Sequence, residues 1–138
     1  MAVKNRLDAV VKFRAREEEG ASLVLAQANG RVSQARAAVE AAKEKLTRGE
    51  FGAGSAADWE LRDAGKDRDR EELRKAEESV LTAEKGLELA KRAHLTAHQR
   101  TEVVRRVCDA RKETARQEGE RQEQRDTDEF VMLRHPGS

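Results

Sequence analysis

The sequence predicts an all-α fold: a long antiparallel two-helix coiled-coil hairpin in which the second helix is the longer. Three observations carry this. Leu7, Val11, Arg14, Glu18, Ala21, Leu25, Ala28, Val32, Ala35, Val39, Ala42 and Leu46 follow a strict 4-3 spacing, and ten of these twelve residues are apolar. A second run goes from Leu73 through Ala76, Val80, Ala83, Leu87, Ala90, His94, Ala97, Thr101 and Val104 to Cys108. A repeat of 3.5 residues sustained over more than three heptads marks a coiled coil. Between the runs lies a glycine-rich break, which lets the second helix fold back on the first.

The elements follow in order. Helix one is expected over about residues 5–48, with Asn5 as its cap. At about 1.5 Å per residue it spans roughly 65 Å. Residues 49–55 contain three glycines and read as the turn at the tip. Ser55 with Asp58 has the spacing of a capping box. Trp59 and Leu61 then fall in the first turns of a new helix. Gly65 is placed to interrupt it, which sets a short helix at the tip within about residues 49–65. The main second helix is expected over about 66–130, followed by a disordered tail, 131–138. The only proline, Pro136, lies beyond that helix, so nothing in its interior forces a kink. The whole chain, residues 1–138, reads as one coiled-coil domain.

Facing layers support the hairpin direction. Leu46 can meet Ala76, Ala42 meet Val80, Val39 meet Ala83 and Leu25 meet Ala97. Each layer pairs large with small, which fills space without voids. A shift of one heptad preserves the pattern, so the register stays open. The seam weakens at Arg14 and Glu18. It is lost after Cys108, where Arg111, Glu118, Gln122 and Arg125 occupy the apolar positions. The last twenty or so residues of helix two therefore overhang any partner within the chain. A single polar helix is marginal in water, so this overhang is expected to fray unless another protein or an ion-pair network holds it. The end where both termini meet reads as the least self-satisfied part. Gly20, Gly30, Gly86 and Gly119 interrupt the predicted helices at about 1 kcal/mol each. They mark either tolerated softness or local flexibility.

Composition bounds the function. Of the 138 residues, 40% are charged and only 3% aromatic, which is too polar for a globular core and close to that of long helices. Disorder is the competing reading of such a composition. A net charge of +1 and the periodic apolar positions argue for helix. The same near-neutral charge removes the electrostatic case for nucleic acid. One cysteine, Cys108, excludes an internal disulfide and fits a reducing compartment. No apolar run is long enough to span a bilayer, and residues 1–5 lack an apolar signal region. The expected location is cytoplasmic.

A two-helix hairpin has no concave interior in which to build an enzyme pocket. The chain therefore reads as a non-enzymatic rod that touches other proteins, with no cofactor. His94 and His98 have the i, i+4 spacing of a two-histidine metal site. The glutamate of a metalloprotease helix is absent, and Leu95 stands in its place. Cys108 is about two and a half turns away. A seam histidine facing a small residue is the better account. Cys108 sits on the seam as a small core hydrophobe. Gly52-Ala53-Gly54 lacks the rest of either nucleotide fingerprint. Phe51 and Trp59 flank the tip, where they either cap the helix pair or anchor a partner. Phe13 and Phe130 lie near the opposite end. Phe130 leads into Val131, Met132 and Leu133 on the overhang, where contact with a partner is the expected role.

The two ends resemble a known family. Residues 5–19, Asn-Arg-Leu-Asp-Ala-Val-Val-Lys-Phe-Arg-Ala-Arg-Glu-Glu-Glu, resemble the opening of the FliJ proteins of the bacterial flagellar export apparatus. An aliphatic-basic stretch there runs into an arginine and acidic cluster. Residues 123–130, Glu-Gln-Arg-Asp-Thr-Asp-Glu-Phe, resemble that family's closing segment. Length, hairpin, and a glycine-rich break followed by a tryptophan match as well. The resemblance implies an antiparallel coiled coil similar to the central stalk of rotary ATPases. It also implies a peripheral place at the inner membrane's cytoplasmic face, and partners that are a hexameric export ATPase, an export gate protein, and export chaperones or substrates. Injectisome counterparts of YscO type share the architecture, and the sequence leaves the two systems open. By this likeness Arg14, Arg16, Glu17, Arg121, Arg125, Asp128, Glu129 and Phe130 are candidates for the ATPase contact. Phe51, Trp59 and Leu61 are candidates for the gate contact. The rival readings are a coiled-coil scaffold or adaptor that self-associates, and a helical metal or redox enzyme resting on His94, His98 and Cys108.

Overall fold

The computed structural model describes residues 5–48 and 56–134. They form two α-helices, α1 (Asn5–Arg48) and α2 (Ala56–Arg134), packed as a helical hairpin. Charges at the helix ends follow the macrodipole. Asp8 and Asp58 lie in the first turns, and Lys45, Arg48 and Arg134 in the last. The turn expected at 49–55, with Phe51 and the Ser55 cap, lies outside the described residues, as does the end of the tail, 135–138.

Two boundaries differ from the sequence reading. No break separates a short tip helix from the main one, because α2 is continuous through Gly65. A single glycine costs a helix about 1 kcal/mol but does not end it when the flanking turns are intact. The helix also continues through Val131, Met132 and Leu133 to Arg134, where a tail was expected.

The seam is as the spacing predicts. All twelve positions on α1 and all eleven on α2 are buried or half-buried. The half-buried row continues toward the start of α2 through Asp69, Lys66 and Arg62, at the same 4-3 spacing. Charge hid these residues from an apolar pattern. Beyond Cys108 the row ends. Arg111, Glu118, Gln122 and Arg125 are exposed, and only Ala115 is half-buried.

The chain divides into two compact units. One joins residues 5–19 to 96–134, and the other joins 20–48 to 56–95. In the second unit Ala28, Val32, Ala42 and Ala90 are buried. Arg36 reaches Glu84 at 3.2 Å and Lys45 reaches Glu72 at 3.1 Å, pairs that fix an antiparallel course. Both pairs are well exposed, so they contribute direction more than stability.

In the first unit Ala97, Thr101 and Cys108 are buried. The Thr101 hydroxyl donates to the Arg14 carbonyl at 3.1 Å, and the Cys108 thiol meets Asp8 Oδ1 at 3.4 Å. Thr101 thus faces Arg14. Of the two registers left open by the layer pattern, this is the one shifted by a heptad; the other would place Cys108 opposite Arg14. In the observed register a buried hydroxyl meets the Arg14 carbonyl, where the other would set a thiol, a weaker donor, in its place.

Candidate partner-binding surface

The unit holding residues 5–19 and 96–134 contains every residue singled out for the ATPase contact. Its seam is polar yet satisfied. Thr101 is fully buried, and its single hydroxyl proton is shared between the Arg14 carbonyl at 3.1 Å and the Ala97 carbonyl at 2.9 Å. Three residues along α2, His98 Nδ1 lies 2.7 Å from Glu18 Oε1. The His98 bond holds the Glu18 carboxyl below its ordinary value, with Thr101 and nearby positive charge assisting against partial burial. At the start of α1, Asp8 accepts from Lys112 at 3.0 Å as well as from the Cys108 thiol. Burial first, then the Asp8 carboxylate, pushes the Cys108 thiol up, so it stays protonated at neutral pH. Asp8 in turn raises Lys112.

These bonds revise one expectation. The seam does weaken in apolar content at Arg14 and Glu18, but this region is not left unsatisfied. Cross-helix hydrogen bonds replace apolar layers, and among the described residues no buried side-chain polar atom lacks a partner. The signal lay in pairing the two runs: once the register is known, Arg14 on α1 faces Thr101 on α2, and Glu18 meets His98 beside the seam.

The expected contact residues fall into separate groups. Arg14 and Glu17 are half-buried and bonded to each other at 3.0 Å, with the Arg14 guanidinium 5.8 Å from the Phe13 ring centre. Arg16 is exposed. Arg121, Arg125, Asp128, Glu129 and Phe130 are all exposed on α2. Arg14 faces Thr101, and Arg121 lies twenty residues further along α2, about 30 Å at helical rise. The structure therefore does not gather the eight residues into one cluster. Instead it presents two patches along one unit.

The overhang keeps its helix through local pairs. Arg116 bridges Glu113, at 2.5 Å, and Glu120, in the i, i+3 and i, i+4 positions. Gln122 donates to Asp126 at 3.0 Å and Gln124 to Asp128 at 3.2 Å. Such ion pairs and hydrogen bonds between residues three and four apart support a lone polar helix. Its end is apolar and bare: Phe130 is 60% and Leu133 80% exposed, with Arg134 over the Phe130 ring at 5.9 Å.

In the other unit, the gate candidates Trp59 and Leu61 are 54% and 72% exposed, and Arg62 lies 5.4 Å from the Trp59 ring centre. Phe51 lies outside the described residues. A groove in this unit runs beside Val24, Ala28, Ala35, Ala83, Gly86 and Ala90, and it is open to solvent. His94 is half-buried on the seam. Among the described residues no three His, Cys, Asp or Glu side chains gather to hold a metal ion.

These features define a two-helix coiled-coil protein that offers side chains along its helix surfaces. The chain belongs to the FliJ family, since the family model described as flagellar FliJ protein matches residues 3–137, nearly its whole length. No curated protein and no solved structure matches it. Membership associates the chain with flagellar protein export, in a stalk or chaperone capacity, and with components of that apparatus as partners. No helix among the described residues is long and apolar enough to cross a membrane.

Proposed function

We propose that this protein is a non-enzymatic stalk and general chaperone subunit of the flagellar (type III) export apparatus, coupling the hexameric export ATPase to the export gate. The observation that carries the reading is the match to the FliJ family over residues 3–137. Its physical support is the contrast within the unit of residues 5–19 and 96–134. A hydrogen-bonded seam from Asp8 to Glu18 fixes the helix pair. Beyond it, α2 continues as a helix whose charged and apolar side chains are exposed.

Arg121, Arg125, Asp128 and Glu129 would enter the ATPase ring through charge-assisted hydrogen bonds, with Phe130 as the apolar anchor. Arg14, Arg16 and Glu17 would form a second contact further along the same unit. Trp59 and Leu61, with Phe51, would meet the gate protein. A stiff seam would pass nucleotide-driven changes from one partner to the other.

The experiment is the double charge reversal Arg121→Glu and Arg125→Glu, read as affinity for the export ATPase. Loss of roughly tenfold or more is expected, since two charge-assisted bonds at about 1.5–3 kcal/mol each leave ample margin over 1.4 kcal/mol. Unchanged affinity would remove these residues from the contact.

A further inference from the structure

We propose that this protein binds a second copy of itself through residues 100–134 of α2, paired antiparallel, so that Met132 of one chain, which shares a face of α2 with Val103 and Val107, seats on those valines of the other. Two independent properties of this stretch point to that occupant.

The first is charge. Residues 100–116 carry Arg100, Arg105, Arg106, Arg111, Lys112 and Arg116 against three acids. Residues 117–134 carry six acids against three arginines. The two halves are opposite in sign and equal in excess, which a net charge near zero conceals. Parallel pairing of two such helices would set like against like. Antiparallel pairing sets each basic half against an acidic half, with the two-fold axis close to Gln117.

The second is the placement of apolar side chains. Val103 is 60% and Val107 41% exposed, one turn apart on α2. They occupy the heptad flank where α2 meets the matching flank of α1, which carries exposed Val10 and Phe13. Arg14 and Arg100 line the groove beside Val103. The bare apolar end of α2, Phe130 to Leu133, follows directly on Asp126, Asp128 and Glu129. An acidic-then-apolar segment is thus available for a basic-and-apolar groove. The segment cannot reach the groove of its own chain. α2 is one unbroken helix, so Met132 stands about 44 Å from Val103. In the two-fold pair each segment reaches the other chain's groove, and the contact closes as a dimer without growing into a fibre.

The test measures the mass of the purified full chain by light scattering and sedimentation at rising concentration, in low and high salt. The wild-type chain is expected to approach twice its 15.5 kDa mass in low salt and to dissociate as salt screens the opposed halves. Two charge variants sharpen it. One carries Arg105→Glu, Arg106→Glu and Arg111→Glu; the other carries Asp126→Lys, Asp128→Lys and Glu129→Lys. Each has halves of like sign and is expected to remain at single-chain mass, while an equimolar mixture regains the doubled mass. Should a charge variant lose helicity by circular dichroism, the chain with Met132→Ala takes its place, since this exposed side chain lies outside the hairpin seam. That chain is expected to associate more weakly than wild type. A wild-type chain at single-chain mass throughout would overturn the proposal and leave this surface to a different protein. Variants that associate like wild type, or a mixture that fails to recover, would overturn it equally. All readouts use the purified chain alone, so they are independent of the ATPase assignment.

Discussion

Thr101 is the only fully buried side chain of its kind among the described residues, and the bond it makes crosses the helix pair. Replacing it with valine keeps shape, β-branching and helix propensity nearly constant while deleting the hydroxyl. The Arg14 carbonyl lies inside α1, so it keeps its backbone partner and is not left unpaired. The cost is then one net hydrogen bond, about 0.5–1.5 kcal/mol. Cys108 reports on it from the same unit. Its thiol is 4% exposed and held protonated, so alkylation requires the helices to part. If opening is fast relative to alkylation, the rate should rise roughly 2- to 12-fold in Thr101→Val. Thr101→Ala also removes the γ-methyl, at about 1 kcal/mol, against a gain of about 0.5 kcal/mol in helix propensity. It should open somewhat faster still. The assay is the native-state alkylation rate at neutral pH, with circular dichroism confirming unchanged helicity. A valine variant alkylated at the wild-type rate or slower would refute the claim that this hydroxyl fastens the two helices.

The Glu18 carboxyl is held down by His98, so its contribution is fully present above the ordinary value of 4.5 and is lost as pH falls through its depressed value. Glu18→Gln should therefore lower thermal stability near pH 6, by a margin that shrinks progressively as pH falls below 4.5. A gap that stays constant over that range would remove the ion-pair account. At Gly30 and Gly86 an added Cβ would meet no atom within 4 Å. Replacing both by alanine should raise stability by roughly 1–2 kcal/mol in urea unfolding. Motility lost despite that gain would assign the glycines to flexibility, and motility retained would assign them to drift. Arg116→Ala removes the pairs to Glu113 and Glu120 and should speed amide exchange over residues 113–120, the more so at low salt.

Much of the fold was legible because a seam between two helices is written as spacing. All the apolar seam positions from Leu7 to Leu46 and from Leu73 to Cys108 lie where their 3.5-residue period puts them. The row from Arg62 to Asp69 was not legible, because those half-buried positions carry charge and a hydropathy pattern cannot register them. The register was ambiguous for a related reason. Alternating large and small layers repeat every heptad, and only specific polar contacts, Thr101 with Arg14 and Asp8 with Cys108, distinguish one heptad from the next. Continuity of α2 through Gly65 was missed because a lone glycine weakens a helix by little when both flanking turns are good formers. The candidate contact residues were named from the likeness of the two chain ends to one family. That likeness carries identity but no distance, and so it grouped Arg14 with Arg121, which the helix rise sets about 30 Å apart.

The central claim, that this chain joins the export ATPase to the export gate, is tested most directly by capturing the intact protein from its own host's cytoplasmic and membrane fractions and identifying its partners by mass spectrometry. The account predicts recovery of the hexameric export ATPase together with the gate protein, and loss of the ATPase alone on reversal of Arg121 and Arg125. Recovery of neither partner would contradict it.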